Sequence, residues 1–297
     1  MNKFPFVSIG LPVYNGERFL KETLNSVLNQ TYKNFELIIS DNASTDLTQK
    51  ICTDYKVKDN RVRYIRQKIN KGGINNFKNV LHAAKGKYFM WIAADDMFGN
   101  QNYLQIISNK ISNKYDFYFT EVSIIDDKCK IIKSRIMQSF VNCKTQFDYL
   151  KASLNISSHQ FYGLHERLKL IEDWKYLEIC KDYKCFNEGL FVHAISAKRK
   201  GKFIKNTIKL YRLHSNNWSS SLKARELIVS FLLYTLRSIH LILTLRNFSY
   251  IEKKKLLFIK LYFSIKYLLI LILGTIWQTL NLQKFLFFLK LKKRIFK

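Results

Sequence analysis

Lys87-Tyr88-Phe89-Met90-Trp91-Ile92-Ala93-Ala94-Asp95-Asp96 is an apolar, aromatic run that stops on two adjacent carboxylates. Residues 87–94 read as a buried strand. A strand that leaves a core and ends on two acids sets two negative charges at a sheet edge. That is costly unless something positive sits there. A divalent cation carrying a phosphorylated ligand meets the need, because Mg²⁺ and Mn²⁺ favour carboxylate oxygens together with phosphates. Adjacent aspartates alone are also a common loop start, so the segments around them decide the meaning.

Upstream, residues 6–11 read as a first strand, and Pro12-Val13-Tyr14-Asn15-Gly16 as a turn. Phe19, Leu20, Leu24, Val27 and Leu28 recur at helical spacing within residues 17–30. Residues 35–40 form a second strand, followed by the polar turn Asp41-Asn42-Ala43-Ser44-Thr45-Asp46. Ser44 or Thr45 suits the cap of a helix running to about Tyr55. Residues 62–66 make a third strand. A glycine-bearing loop at 70–75 leads into a helix at 76–84. Strands alternating with helices imply a mostly parallel sheet flanked by helices, an α/β fold. Ligands on such sheets sit outside the carboxyl ends of the strands. Tyr14-Asn15, Asp41-Asn42 and Asp95-Asp96 all fall at such ends.

Downstream, residues 101–113 read as helix and 115–125 as strand. Helices cover 146–179 with a break near 159–163. A short helix at 188–198 precedes a strand at 203–211 and a polar loop at 212–221. The composition changes near Leu222. Trp91 reads as core, Trp218, in a polar loop, as a better platform for a ligand ring, and His159 and His165 as ordinary residues.

These segments resemble the family 2 glycosyltransferases, inverting nucleotide-sugar enzymes of the GT-A fold. The resemblance rests on Val7-Ser8-Ile9-Gly10-Leu11-Pro12-Val13-Tyr14-Asn15, Ile39-Ser40-Asp41-Asn42-Ala43-Ser44-Thr45-Asp46, Asn70-Lys71-Gly72 with Asn76, and residues 84–96, in the family's order and spacing. It is strong over residues 5–100 and weaker to about 220. It implies a glycosyltransferase domain at 1–221, with donor binding at 1–100 and the acceptor side at 101–221.

Residue by residue, the resemblance implies that Pro12 and Tyr14, with Asn15 and Glu17 beside them, frame the base and ribose. Asp41 would accept the imide N–H of a uracil-like base, and Lys71 would approach the diphosphate. Asp95 would touch the ribose or metal waters. Asp96 would hold Mn²⁺ or Mg²⁺; in Leu210-Tyr211-Arg212-Leu213-His214, His214 would ligate that metal or touch a phosphate, and Arg212 would pair with the diphosphate. An inverting transfer also needs a base to deprotonate the acceptor hydroxyl; Glu188 fills that slot, with Asp182 in reserve. The sequence departs from the family at Ala93, where many relatives carry a further acid.

The net charge of +28 is concentrated at the end of the chain: residues 201–297 carry 19 basic and 2 acidic side chains, or +17. That charge accompanies blocks of Leu, Ile, Phe and Tyr, which points to an anionic membrane surface rather than nucleic acid. The most apolar run, 267–277, is shorter than the roughly 20 residues a spanning helix needs. Residues 222–297 are therefore expected to form a basic, apolar helical region lying in the membrane interface. Phe285, Leu286, Phe288 and Leu289 would dip into it. A packed helical bundle or a dimer contact is the plainer alternative. The five cysteines lack zinc-site spacing and read as reduced thiols. The N-terminal apolar stretch is too short for a signal peptide.

The resulting expectation is a peripheral enzyme on the cytoplasmic face of a bacterial inner membrane. It would move a sugar from a nucleotide-diphosphate donor, with UDP favoured, to a glycan or lipid-linked acceptor in surface-polysaccharide synthesis. A catalytically degenerate, glycosyltransferase-like assembly partner is the alternative.

Overall fold

A computed structural model of the chain describes residues 6–135, 138–154, 159–178, 187–215 and 224–280. Its strands are β1 (Val7–Val13), β2 (Phe35–Asp41), β3 (Val62–Arg66), β4 (Tyr88–Trp91), β5 (Met97–Phe98), β6 (Phe117–Ile125), β7 (Ile131–Arg135), β8 (Leu164–Glu166) and β9 (Gly201–Arg212). They join into one sheet in the order β3-β2-β1-β4-β8-β6-β9-β5, with β7 on β6. The first four strands pair in parallel. Beyond them the sheet is mixed: β8 runs antiparallel to β4 and β6, β5 antiparallel to β9, and β6 parallel to β9. The mostly parallel expectation therefore describes the first half. Strands β5 and β8 span two and three residues, too short for their periodicity to stand out.

Every residue of β1, β2 and β4 is buried. That follows from helices on both faces of a parallel sheet, where strands read as continuous apolar runs. Leu20–Leu28 buries Leu20, Leu24 and Val27, and Gly73–Ala83 buries Val80 and Leu81. Pro12 is tolerated in this central strand because the β1–β4 ladder ends at Gly10↔Trp91. Its missing N–H faces the side where β4 has already turned away. Trp91 is core, its ring stacked on Phe161 with centroids 4.4 Å apart. His165 is core as well: its Nε2 lies 3.0 Å from the Gln160 carbonyl, and burial pushes the imidazole down to about 4.

The helices Ala224–Thr244 and Tyr250–Leu280 dock onto the sheet domain. Ile242, Leu245 and Leu256 share a cluster with Leu150, Leu154 and Ala197. Tyr234 reaches His193 at 3.2 Å, and Thr235 meets Ser264 at 3.2 Å. The opposite face is apolar and exposed, with Leu232, Leu236, Leu243, Phe258, Tyr262, Ile265 and Leu269 open to solvent. The helical stretch Arg225–Thr244 is long and apolar enough to cross a membrane by length and composition, and 33% of it is buried in the fold. Residues 285–289, Asp182 and Trp218 lie outside the described residues.

Lys260 is 1% exposed, and its ammonium lies over the Tyr234 ring, 3.6 Å from the centroid. No carboxylate pairs with it among the described residues. Burial pushes its pKa down to about 7. Between that value and the ordinary lysine pKa of about 10.4, the unfolded chain binds the proton and the folded chain does not. Stability therefore rises with pH across that window. Lys260→Met is expected to raise unfolding free energy at pH 7 by about 1–4 kcal/mol and to flatten that rise. Denaturant melts at pH 7 and pH 9 check both; equal stability of the two proteins at pH 7 would refute the expectation.

Candidate active site

Four loops at the carboxyl ends of β1, β2, β3 and β4 converge, and side chains lock them together. Asn15 adopts a left-handed φ of 50°. Its Oδ1 accepts the Thr45 N–H at 2.8 Å, and its own N–H donates to Ser44 Oγ at 2.9 Å. Glu17 accepts the Leu47 N–H at 2.8 Å. Asn15 and Glu17 thus bind the β1 loop to the β2 loop, and Tyr14 projects from between them half exposed. Asn76, from the following helix, donates to the Ser40 carbonyl at 2.8 Å. Asn42 accepts the Lys71 N–H at 2.9 Å, and Gly72 turns the chain at φ 82°. Lys71 itself is exposed at this rim.

Asp41 ends β2 fully buried. Its carboxylate accepts the Ser44 N–H at 2.8 Å, the Tyr64 hydroxyl at 2.7 Å and Arg66 Nη1 at 2.6 Å. Burial opposes its ionisation, but Ser44, Tyr64 and Arg66 outweigh burial and hold the carboxyl below its ordinary value. An imide N–H must therefore share or displace one of these donors. The helix expected to be capped by Ser44 or Thr45 starts instead at Thr48, with Leu47 at its cap position, and Ser44 Oγ accepts the Asn15 N–H.

The decisive connection is β5 with β9. Met97 pairs with Leu210 and Phe98 with Lys209, which returns residues 209–214 beside Asp95-Asp96. Asp96 is 1% exposed. It accepts the Arg212 backbone N–H at 3.1 Å, and its Oδ2 faces the Lys209 ammonium at 2.9 Å. That contact is an ion pair without hydrogen-bond alignment. Burial raises the Asp96 pKa, and Lys209 pulls it back. Asp95 Oδ2 lies 3.0 Å from His214 Nε2.

Arg212 departs from its expected role. It is completely buried, and its guanidinium lies over the Phe19 ring, 4.4 Å from the centroid. It donates to the carbonyls of Asp95, Asp126 and Asp127 at 3.0–3.2 Å and to Glu22. With its donors so engaged, it fixes the Asp95-Asp96 turn and does not point at a diphosphate.

A residue the sequence did not single out joins the acids. Tyr162 ends the single turn His159–Tyr162. Its hydroxyl pKa is pushed well up by burial, then by the negative charges of Glu188, Asp96 and Asp95. Its ring takes the Lys209 ammonium 3.8 Å from the centroid. Glu188 sits in the first turn of the helix Asn187–Lys198, and burial raises its carboxyl pKa. The base expected from the acceptor side and the two acids expected from the donor side thus all act electrostatically on one phenol. The sequence signal for it was the break in helical pattern at 159–163.

Asp95, Asp96 and His214 have the donor chemistry of a Mn²⁺ or Mg²⁺ site. Their arrangement does not fit one. Lys209 covers Asp96 Oδ2, Asp95 Oδ2 is taken by His214, and no group of three or more His, Cys, Asp or Glu among the described residues is placed to hold a metal.

A family model described as glycosyl transferase family 2 matches residues 8–169, more than half of the chain. The chain belongs to this family. GlyG of Streptococcus pneumoniae serotype 4, a glycosyltransferase, is 36% identical over 109 residues, 36% of this chain and 36% of GlyG. An uncharacterised glycosyltransferase of Haemophilus influenzae is 29% identical over 233 residues, 74% of this chain and 69% of that protein. The chain therefore spans about a third of one family member and two thirds of the other. Among solved structures, TarS 1-349 of S. aureus in complex with UDP-GlcNAc superposes with a TM-score of 0.69 at 17% identity, over 88% of this chain and 73% of that one. The mannosyltransferase PcManGT of Pyrobaculum calidifontis, in complex with GDP-Man and Mn²⁺, gives 0.58 at 14%, over 88% and 70%. These likenesses show the same GT-A-like fold, a curled mixed sheet flanked by helices.

Proposed function

We propose that this family 2 chain transfers a sugar, with inversion, from a nucleotide-diphosphate donor to a glycan or lipid-linked acceptor in surface-polysaccharide assembly. The meeting of the Asp95-Asp96 turn with Lys209, Arg212 and His214 of the returning β9 segment, at the end of the parallel strands, carries this reading. The base would lie over Tyr14 and reach Asp41, and the diphosphate would extend toward the Gly72 loop, where Lys71 is free to swing in. Glu188 would take the proton of the acceptor hydroxyl as its oxygen bonds to the anomeric carbon. The bond to the diphosphate breaks on the opposite side, which inverts that carbon. The negative charge appearing on the diphosphate needs a preorganised positive field. TarS with UDP-GlcNAc and PcManGT with GDP-Man support a nucleotide-sugar donor; a carboxylate held ionised at Asp41 suits the imide N–H of uracil, so UDP donors come first.

The exposed apolar faces of the two C-terminal helices, beside Lys253-Lys254-Lys255, support a seat on the cytoplasmic face of an anionic membrane. Such a seat would bring a lipid-linked acceptor to Glu188. Detergent, and not 1 M salt, is expected to release the protein from membranes; release by salt alone would count against it.

Calorimetric titration of UDP, GDP and dTDP into the detergent-solubilised protein tests the donor reading. Binding of one nucleotide, weakened in Asp41→Ala, supports it. Silence for all three overturns it and leaves the degenerate assembly partner.

A further inference from the structure

We propose that Lys209 supplies, from within the chain, the positive charge that a divalent ion would bring to Asp96, so that the donor nucleotide binds without a metal ion on that carboxylate. The proposal rests on the reading of this site as the donor site.

Three observations carry it. First, Lys209 and Asp96 are 5% and 1% exposed, and the ammonium is 2.9 Å from Oδ2. Charges so far from water interact strongly, and each partner makes the other tolerable. Second, Lys209 is held in place. Its backbone is fixed opposite Phe98 in the β5–β9 ladder, and its ammonium is backed by the Tyr162 ring at 3.8 Å. Third, the carboxylate inventory is short. Ala93 contributes no acid, Asp95 Oδ2 faces His214, and the remaining Asp96 oxygen accepts the Arg212 N–H. A divalent ion on Asp96 would stand beside a buried ammonium and be repelled by it. The positive charge that Asp96 would otherwise take from a cation is already fixed beside it, in a water-poor place.

Lys209→Met keeps the length of the side chain and removes the charge. It leaves Asp96 buried and unpaired, and so creates a vacancy for a cation. Mn²⁺ binding is read from the EPR signal of free Mn²⁺, with and without the nucleotide, and from the Mn²⁺-induced shift in Tm. Wild type is expected to bind the nucleotide equally in EDTA and in Mn²⁺ and to show no Mn²⁺ shift in Tm. Lys209→Met is expected to bind Mn²⁺ at least tenfold more tightly than wild type and to be stabilised by it. Lys209→Met/Asp96→Leu should lose that response. Nucleotide binding by wild type that requires Mn²⁺, or equal Mn²⁺ affinity in wild type and Lys209→Met, would overturn the proposal. Failure of any nucleotide to bind would instead strike the donor reading, while the comparison of Mn²⁺ affinities would still decide the role of Lys209. If Lys209→Met proves too unstable alone, Lys209→Gln serves the same comparison.

Discussion

Glu188→Gln is expected to slow sugar transfer by about 10²–10⁴-fold while leaving nucleotide affinity unchanged. The amide keeps the volume and the first-turn position in Asn187–Lys198 but cannot accept the acceptor's proton. Burial raises the Glu188 carboxyl pKa, which brings it nearer to working pH, where a general base is most effective. The base form is the ionised one, so the rate should fall as pH drops through a pKa above the ordinary glutamate value of about 4.3. Glu188→Gln should abolish that acid limb together with most of the rate. Nucleotide-release kinetics from pH 4.5 to 8, paired with calorimetry, separate the two roles. A variant that transfers at the wild-type rate removes Glu188 from catalysis. A variant that has lost nucleotide binding would make it a structural residue instead.

The parts of this site that the sequence disclosed are the local ones. Strands β1, β2 and β4 are buried throughout, and each hands its polar cluster to a loop within a few residues, so position at strand ends was readable one segment at a time. What stayed hidden depends on long-range pairing. Arg212 looked like a phosphate ligand because guanidinium suits phosphate. Its partner Glu22 is 190 residues away, and only the fold reveals that the charge is already taken. Lys209 was hidden by a flip of register. The alternation Ile204, Ile208, Leu210 would turn Lys209 to solvent. Asn206 instead adopts φ 62° and the β6–β9 pairing shifts there, so Thr207 and Lys209 point inward. Three residues skipped in the pairing, 205–207, exchange the two faces of the strand. Tyr162 gave no chemical signal because its importance comes from Glu188, Asp95 and Asp96 arriving from elsewhere.

Asp96→Ala should destabilise the protein as well as disable it, and the two effects are separable. Truncation removes the acceptor of the Arg212 N–H and leaves the Lys209 ammonium buried against the Tyr162 ring without a counter-charge. Breaking one half of a buried pair costs about 3–5 kcal/mol, a fall in Tm on the order of 10 °C for a domain of this size. Replacing both halves removes the stranded charge. Asp96→Leu/Lys209→Met should therefore recover most of the stability lost in Asp96→Ala. It should remain inactive, because neither the acid nor the cation is left to meet the donor. Thermal melts of the two variants beside wild type, with transfer assays on the same samples, test this. If Asp96→Ala melts with wild type, the pair is solvated rather than buried. If the double variant is as unstable as the single, the damage lies in lost packing at the β5–β9 corner and not in the stranded ammonium.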